Sequence, residues 1–305
     1  MQYLPRRLFV ESFQTKMMRE FVDRKLSRCP EFTAALIVGS VAHGEARPDS
    51  DVDCILIFNK LNEAIVPSEF VWDPTSDTYH TIFEVEAVDI NGIQIDANRV
   101  EVEDFLNQDW SEDLRHDLAH ALFIYDRCDS VAPAINDRLA YPESLRLSRI
   151  QRHLSWAAYH LEEWRLLGWM NRGGLESAHD QVTAALEEII QLLHAYNREW
   201  LPSRHRWVVS AQGLKWLPDE YSERVFDAIS RVTPDKQNLL RRQSTLSLIL
   251  DSIRDQLESE SLLASPVEAF IANNPGLGYA RNFDDWKKEH QKLMEQTSSQ
   301  DLSDA

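Results

Sequence analysis

Residues 34–58 read AALIVGSVAHGEARPDSDVDCILIF, and their pattern decides the fold of the first half of the chain. Ala34–Val38 form a short apolar run, the mark of a buried strand, and it ends in Gly39-Ser40. Gly44 and Pro48 break the segment that follows. From Asp51 the sequence alternates, with Val52, Cys54, Leu56 and Phe58 on one face and Asp51 and Asp53 on the other, so a second strand is predicted there. A strand ending in Gly-Ser opens a helix whose backbone N–H groups can face a phosphate, and a glycine lets that phosphate come close. Two carboxylates at i and i+2 on a strand point the same way. Such a pair suits Mg²⁺, which takes carboxylates together with substrate phosphates. A third carboxylate from a neighbouring strand would complete the set; Asp96 is the choice, with Asp89 and Glu84 as substitutes.

Outward from this stretch, Leu8, Phe13, Met17, Phe21 and Leu26 predict an amphipathic helix over residues 8–27. Downstream, HTIFEVEAVDI and IQIDANRV flank Asn91-Gly92, a strong hairpin signal. Residues 101–118 read as a helix and 121–126 as a strand. From Leu145 helical periodicity takes over. Leu147, Ile150, Leu154, Ala157, Leu161 and Trp164 make one stripe, and Val182, Leu186, Ile189, Leu193 and Tyr196 make another. Asn171–Gly174 and Pro202 interrupt, and a last long helix is predicted near 235–262. The fold class is α+β: a mixed sheet with flanking helices over residues 1–140, an all-helical bundle over 141–265, and a polar extension over 266–305 whose end is expected to be disordered.

Gly39-Ser40, a ten-residue gap and Asp51-Val52-Asp53 together resemble the signature of the nucleotidyltransferase superfamily, the DNA polymerase β-like fold. The motif covers about residues 34–100. The helical half behind it is similar in architecture to that of aminoglycoside and lincosamide adenylyltransferases. The resemblance implies that Gly39 and Ser40 bind a nucleoside triphosphate and that Asp51 and Asp53 bind metal. It makes Asp96 a third metal ligand or the base for the acceptor hydroxyl. It further implies two Mg²⁺ ions, ATP as the nucleotide, and Arg204 and Arg206 of the helical half as residues that clamp the triphosphate. The rival reading of those arginines is a helix end with cations offsetting its dipole.

Composition sets limits. The 305 residues carry 32 Lys and Arg against 50 Asp and Glu, a formal charge of -18, which argues against a broad surface for duplex nucleic acid. Cys29, Cys54 and Cys128 have no metal-site spacing and are expected to be reduced thiols in a cytoplasmic protein. No signal core or membrane-spanning run is apparent. Residues 84–126 hold twelve Asp or Glu and two Lys or Arg, so a cationic small-molecule acceptor such as an aminoglycoside-like antibiotic is the favoured partner. His43, between the Gly-Ser turn and the acids, either contacts a phosphate or lies exposed. The six tryptophans from Trp156 to Trp216 read as core. Arg146…His153 and Arg198…His205 match the spacing of HEPN ribonucleases, but Leu147 and Glu199 stand where the usual Asn, Asp or His follows the Arg. The alternatives to a small-molecule transferase are a toxin–antitoxin type protein adenylyltransferase and a non-catalytic nucleotide-binding module.

Overall fold

The computed structural model describes residues 12–61, 71–73, 78–83, 93–230 and 232–263. The chain divides into two compact units, Met1–Ala140 and Tyr141–Ala305.

In the first unit the order is α1 (Phe13–Phe21), β1 (Phe32–Ile37), α2 (Gly39–His43), β2 (Val52–Phe58), β3 (Val71–Asp73), β4 (Thr78–Phe83), β5 (Ile93–Glu101), α3 (Val102–Asn107), α4 (Glu112–His120), β6 (Leu122–Asp126) and α5 (Val131–Arg138). The six strands form one mixed sheet in the order β3-β4-β5-β2-β1-β6. β2 and β5 run parallel, and the other neighbouring pairs are antiparallel. β1 and β2 are buried on both faces, which explains why β1 is apolar at successive positions. Met17, Met18 and Phe21 of α1 cover one face against Ala35, Ile37, Cys54 and Leu56. Phe105, Leu118 and Ile135 from α3, α4 and α5 cover the other against Leu36, Ile55 and Ile57. Each Leu, Ile, Met or Phe side chain among these contributes about 1.5–3 kcal/mol on burial.

Several sequence expectations change. The helix expected over 8–27 is α1, from Phe13 to Phe21, followed by a wider turn over Val22–Leu26. Ser12 starts it by accepting the Thr15 N–H, and residues 1–11 lie outside the described residues. β4 and β5 do pair, but Phe83 stands opposite Ile93. The Asn91-Gly92 turn itself lies outside the described residues. The single helix expected over 101–118 is two. The Trp110 indole N–H donates to the Phe105 carbonyl at the end of α3, and Ser111 caps a fresh helix by accepting from the Leu114 N–H.

The second unit contains α6 (Glu143–Leu161), α7 (Glu163–Asn171), α8 (Leu175–Asn197), a 3₁₀ turn (Arg204–Arg206), α9 (Trp207–Ala211), α10 (Tyr221–Ser230) and α11 (Lys236–Ser259). Ile150, Leu154, Ala157 and Leu161 of α6 pack with Val182, Leu186, Ile189 and Leu193 of α8 and with Leu246, Ile249 and Ile253 of α11. Two members of the predicted α6 stripe fall outside this core. Leu147 is exposed, and Trp164 is 67% exposed because the helix breaks at Glu162 before reaching it. Gln243 covers the break by donating to the Leu161 carbonyl at 2.9 Å. The tryptophans are thus mixed: Trp200 is buried, Trp207 and Trp216 pack on the core, and Trp164 does not. The polar extension 266–305 lies outside the described residues. Among the described residues no helix is long and apolar enough to cross a membrane.

Candidate active site

The candidate site sits where β1 ends and β2 begins. Val38 closes β1 by donating its N–H to the Asp53 carbonyl at 2.9 Å. Gly39 then takes a φ of +63°, a left-handed conformation that costs other residues free energy. The turn carries the chain into α2, which Gly44 ends with a φ of +73°. Space as well as backbone angle demands glycine at position 39. A Cβ there would lie 2.1 Å from Asp53 Oδ2, so the Asp53 carboxylate lies directly against the Gly39 backbone.

Register brings the acids together. In the parallel β2–β5 ladder Asp53 stands opposite Asp96, so their side chains share a face, and Asp51 lies two residues before Asp53. One carboxylate oxygen from each of Asp51, Asp53 and Asp96 lies within 4.8 Å of the other two. All three residues are half-buried. Gln94 donates to Asp96 Oδ1 at 2.9 Å. Even at the longest of these separations, two ionised carboxylates repel by about 3–4 kcal/mol at an effective dielectric near 20. The concentration of negative charge is felt by Cys54, whose thiol is pushed far above its ordinary pKa by burial first and then by Asp53 and Asp96. Three hard oxygen donors with no sulfur or imidazole among them are a donor set suited to Mg²⁺.

The sequence of this unit matches the nucleotidyltransferase domain family over residues 16–115, from α1 into α4. That match takes in the Gly-Ser turn, both strands and all three acids. Residues 16–115 are a nucleotidyltransferase domain. Among solved structures, a nucleotidyltransferase-like protein from Exiguobacterium sibiricum 255-15 is similar at 14% identity and a TM-score of 0.38, covering 81% of this chain and 77% of that one. No curated protein matches the chain.

The other residues singled out from sequence fall as follows. Ser40 is half-buried in the first turn of α2 of the nucleotidyltransferase domain, and its carbonyl accepts the Glu45 N–H at 2.9 Å. Arg204 and Arg206 belong to the helical unit. Arg204 is exposed and pairs with Glu187 of α8, while Arg206 is half-buried. Arg198 takes a φ of +59° at the end of α8 and pairs with Glu143. Asp89 and Glu84, the substitutes for Asp96, lie outside the described residues.

Much of the acidic stretch is engaged locally. Glu101 accepts the Leu61 N–H, Asp109 pairs with Arg115, and Asp126 accepts from the Val131 and Ala132 N–H groups at the start of α5. The arginine–histidine pairs flagged by spacing are likewise committed. Arg146 is buried, donates to the Tyr196 carbonyl and pairs with Glu143, and His153 bonds Glu188 at 2.6 Å.

His43 is neither loop-borne nor exposed. It ends α2, its side chain is 9% exposed, and its Nε2 lies 3.3 Å from Asp117 Oδ1. Its ring stacks on His116, with His120 beside both. This grouping was missed from sequence, although His116 and His120, four apart on a helix, were a visible signal.

Proposed function

We propose that the chain is a Mg²⁺-dependent nucleotidyltransferase that moves a nucleoside monophosphate, AMP from ATP, onto a hydroxyl of a small cationic acceptor. The observation that carries this reading is the convergence of Asp51, Asp53 and Asp96 beside Gly39 inside a nucleotidyltransferase domain. The three acids would hold the divalent metal, two ions in the fullest form. When bound, Mg²⁺ supplies positive charge that offsets the triphosphate and the departing pyrophosphate.

The chain's own residues do the rest. Gly39 and Ser40 receive the triphosphate. Because α2 has only five residues, close backbone approach at Gly39 matters more than a helix dipole. Asp96 takes the proton from the acceptor hydroxyl as its oxygen attacks the α-phosphorus. The new O–P bond forms as the bond to the β-phosphate oxygen breaks, and pyrophosphate leaves. Positioning and electrostatics account for most of the acceleration in such transfers. The acidic balance of the chain, -18, favours an acceptor bearing ammonium groups, of which an aminoglycoside-like sugar is the model class.

The test is pyrophosphate release from each of four nucleoside triphosphates against a panel of hydroxylated small molecules. Release that needs both Mg²⁺ and an acceptor, with ATP preferred, supports the reading. Tight nucleotide binding with no release across cationic and neutral acceptors would overturn it in favour of a binding module.

A further inference from the structure

We propose that His43, His116 and His120 form a second metal site, built for Zn²⁺ or a similar transition metal and separate from the three acids. His116 and His120 lie four residues apart on one face of α4, and His43 reaches them from the end of α2. The ring centroids are 5.0 Å apart for His43–His116, 4.7 Å for His43–His120 and 4.5 Å for His116–His120. One ring nitrogen from each lies within 4.8 Å of the other two. His116 is buried at 5% exposure, and His43 is nearly so. A common ion would draw these nitrogens to about 2.0–2.1 Å by turning the rings out of their stack, with a fourth position left for water or another ligand.

Two hydrogen bonds set the rings up for this. Asp117 Oδ1, 3.3 Å from His43 Nε2, accepts that N–H and leaves the lone pair on Nδ1. The His116 carbonyl, 2.9 Å from His120 Nδ1, accepts that N–H and leaves the lone pair on Nε2. Carboxylate and carbonyl partners on the far nitrogen are what orient metal-binding imidazoles and raise their basicity.

Donor chemistry separates the two sites. Three imidazoles select Zn²⁺, Co²⁺, Ni²⁺ or Cu²⁺ and are poor ligands for Mg²⁺, whereas three carboxylates suit Mg²⁺. An ion on the histidines would tie α4 to the far end of the short helix that opens with Gly39-Ser40. It would therefore stiffen the segment against which Asp53 rests.

The experiment is calorimetric titration of the full chain with Zn²⁺ in millimolar Mg²⁺, alongside Co²⁺ absorption in the visible range. One equivalent of Zn²⁺ should bind, and Co²⁺ should give the bands of a nitrogen-rich site. His120→Gln changes an exposed residue and should abolish both signals while leaving the far-UV circular dichroism unchanged. Asp117→Asn should weaken Zn²⁺ by about 10–100-fold without removing a ligand, an effect that mere packing would not produce. The proposal is overturned by no binding at 100-fold molar excess of Zn²⁺. It is equally overturned by binding that survives His120→Gln or His43→Gln, or that disappears instead with exposed Cys128→Ser.

Discussion

Replacing Gly39 with alanine sets two penalties on the same few atoms, and the structure allows them to be separated. The first is backbone strain. Alanine at a φ of +63° costs about 1–2 kcal/mol in the left-handed region. The second is collision. The new Cβ would lie 2.1 Å from Asp53 Oδ2, 3.0 Å from its Cγ and 3.2 Å from its Cβ, and these are its nearest neighbours. The carboxylate must retreat from 2.1 Å to at least 3.0 Å, about 0.9 Å, and overpacking of this kind adds about 1–3 kcal/mol. Gly39→Ala should therefore destabilise the first unit by about 2–5 kcal/mol. In an Asp53→Ala background most of the clashing atoms are gone, so the same substitution should cost only the strain, about 1–2 kcal/mol. The double-mutant cycle, read by urea denaturation, should show a coupling of about 1–3 kcal/mol. A displacement near 1 Å at a reacting centre costs on the order of a hundredfold in rate, so transfer should fall by at least that much. Equal costs in the two backgrounds, or wild-type turnover in Gly39→Ala, would refute the contact between Gly39 and Asp53 as the reason for glycine.

Two further outcomes are expected. His179 in the helical unit has its pKa lowered from the ordinary 6.5, by burial first and by the Arg242 charge next. The unfolded chain therefore holds more protons than the folded one between that lowered value and 6.5, and stability falls as pH drops through this window. Urea midpoints at pH 7.0 and 5.5 should differ less in His179→Gln than in the wild type; an unchanged difference would remove His179 as the cause. The acceptor prediction is electrostatic. At saturating nucleotide and constant Mg²⁺, the acceptor KM should rise steeply with ionic strength. A neutral acceptor with a salt-independent KM would defeat the cationic acceptor and leave nucleotidyl transfer standing.

How far the sequence can be read follows from how local each feature is. β1, α2 and β2 were legible because a closed apolar run, a Gly-Ser turn and a period-two strand each declare themselves within a few residues. Asp96 was legible for a related reason: it sits on an alternating strand, and parity puts it on a face away from Ile95 and Ala97. Its place opposite Asp53 depends on β5 pairing parallel with β2, which no local pattern states. β3 has three residues, too few for periodicity to register. The β4–β5 pairing was legible in the alternation either side of Asn91-Gly92, whereas its register, with Phe83 against Ile93, is set across the whole ladder and is not written locally. Leu147 and Trp164 misled because an apolar stripe predicts burial only while the helix stays straight and covered. Arg146 and Arg242 are buried charges, invisible to hydropathy, and are accommodated by carbonyls of Tyr196 and Ala228 that only the tertiary fold presents. The histidine trio needed the same information, since it joins residue 43 to residues 116 and 120.

The central claim is that Asp51, Asp53 and Asp96 bind a divalent metal together with a nucleoside triphosphate, and calorimetry tests it most directly. The full chain is titrated with a non-hydrolysable ATP analogue in Mg²⁺ and again in EDTA, alongside Asp51→Asn and Asp53→Asn. Each substitution relieves repulsion among acids that lie within 4.8 Å, so both variants should fold as well as the wild type. The account predicts binding that needs Mg²⁺ in the wild type and is lost in both folded variants. Equal affinity in EDTA, or Mg²⁺-dependent binding that survives in Asp53→Asn, would contradict it.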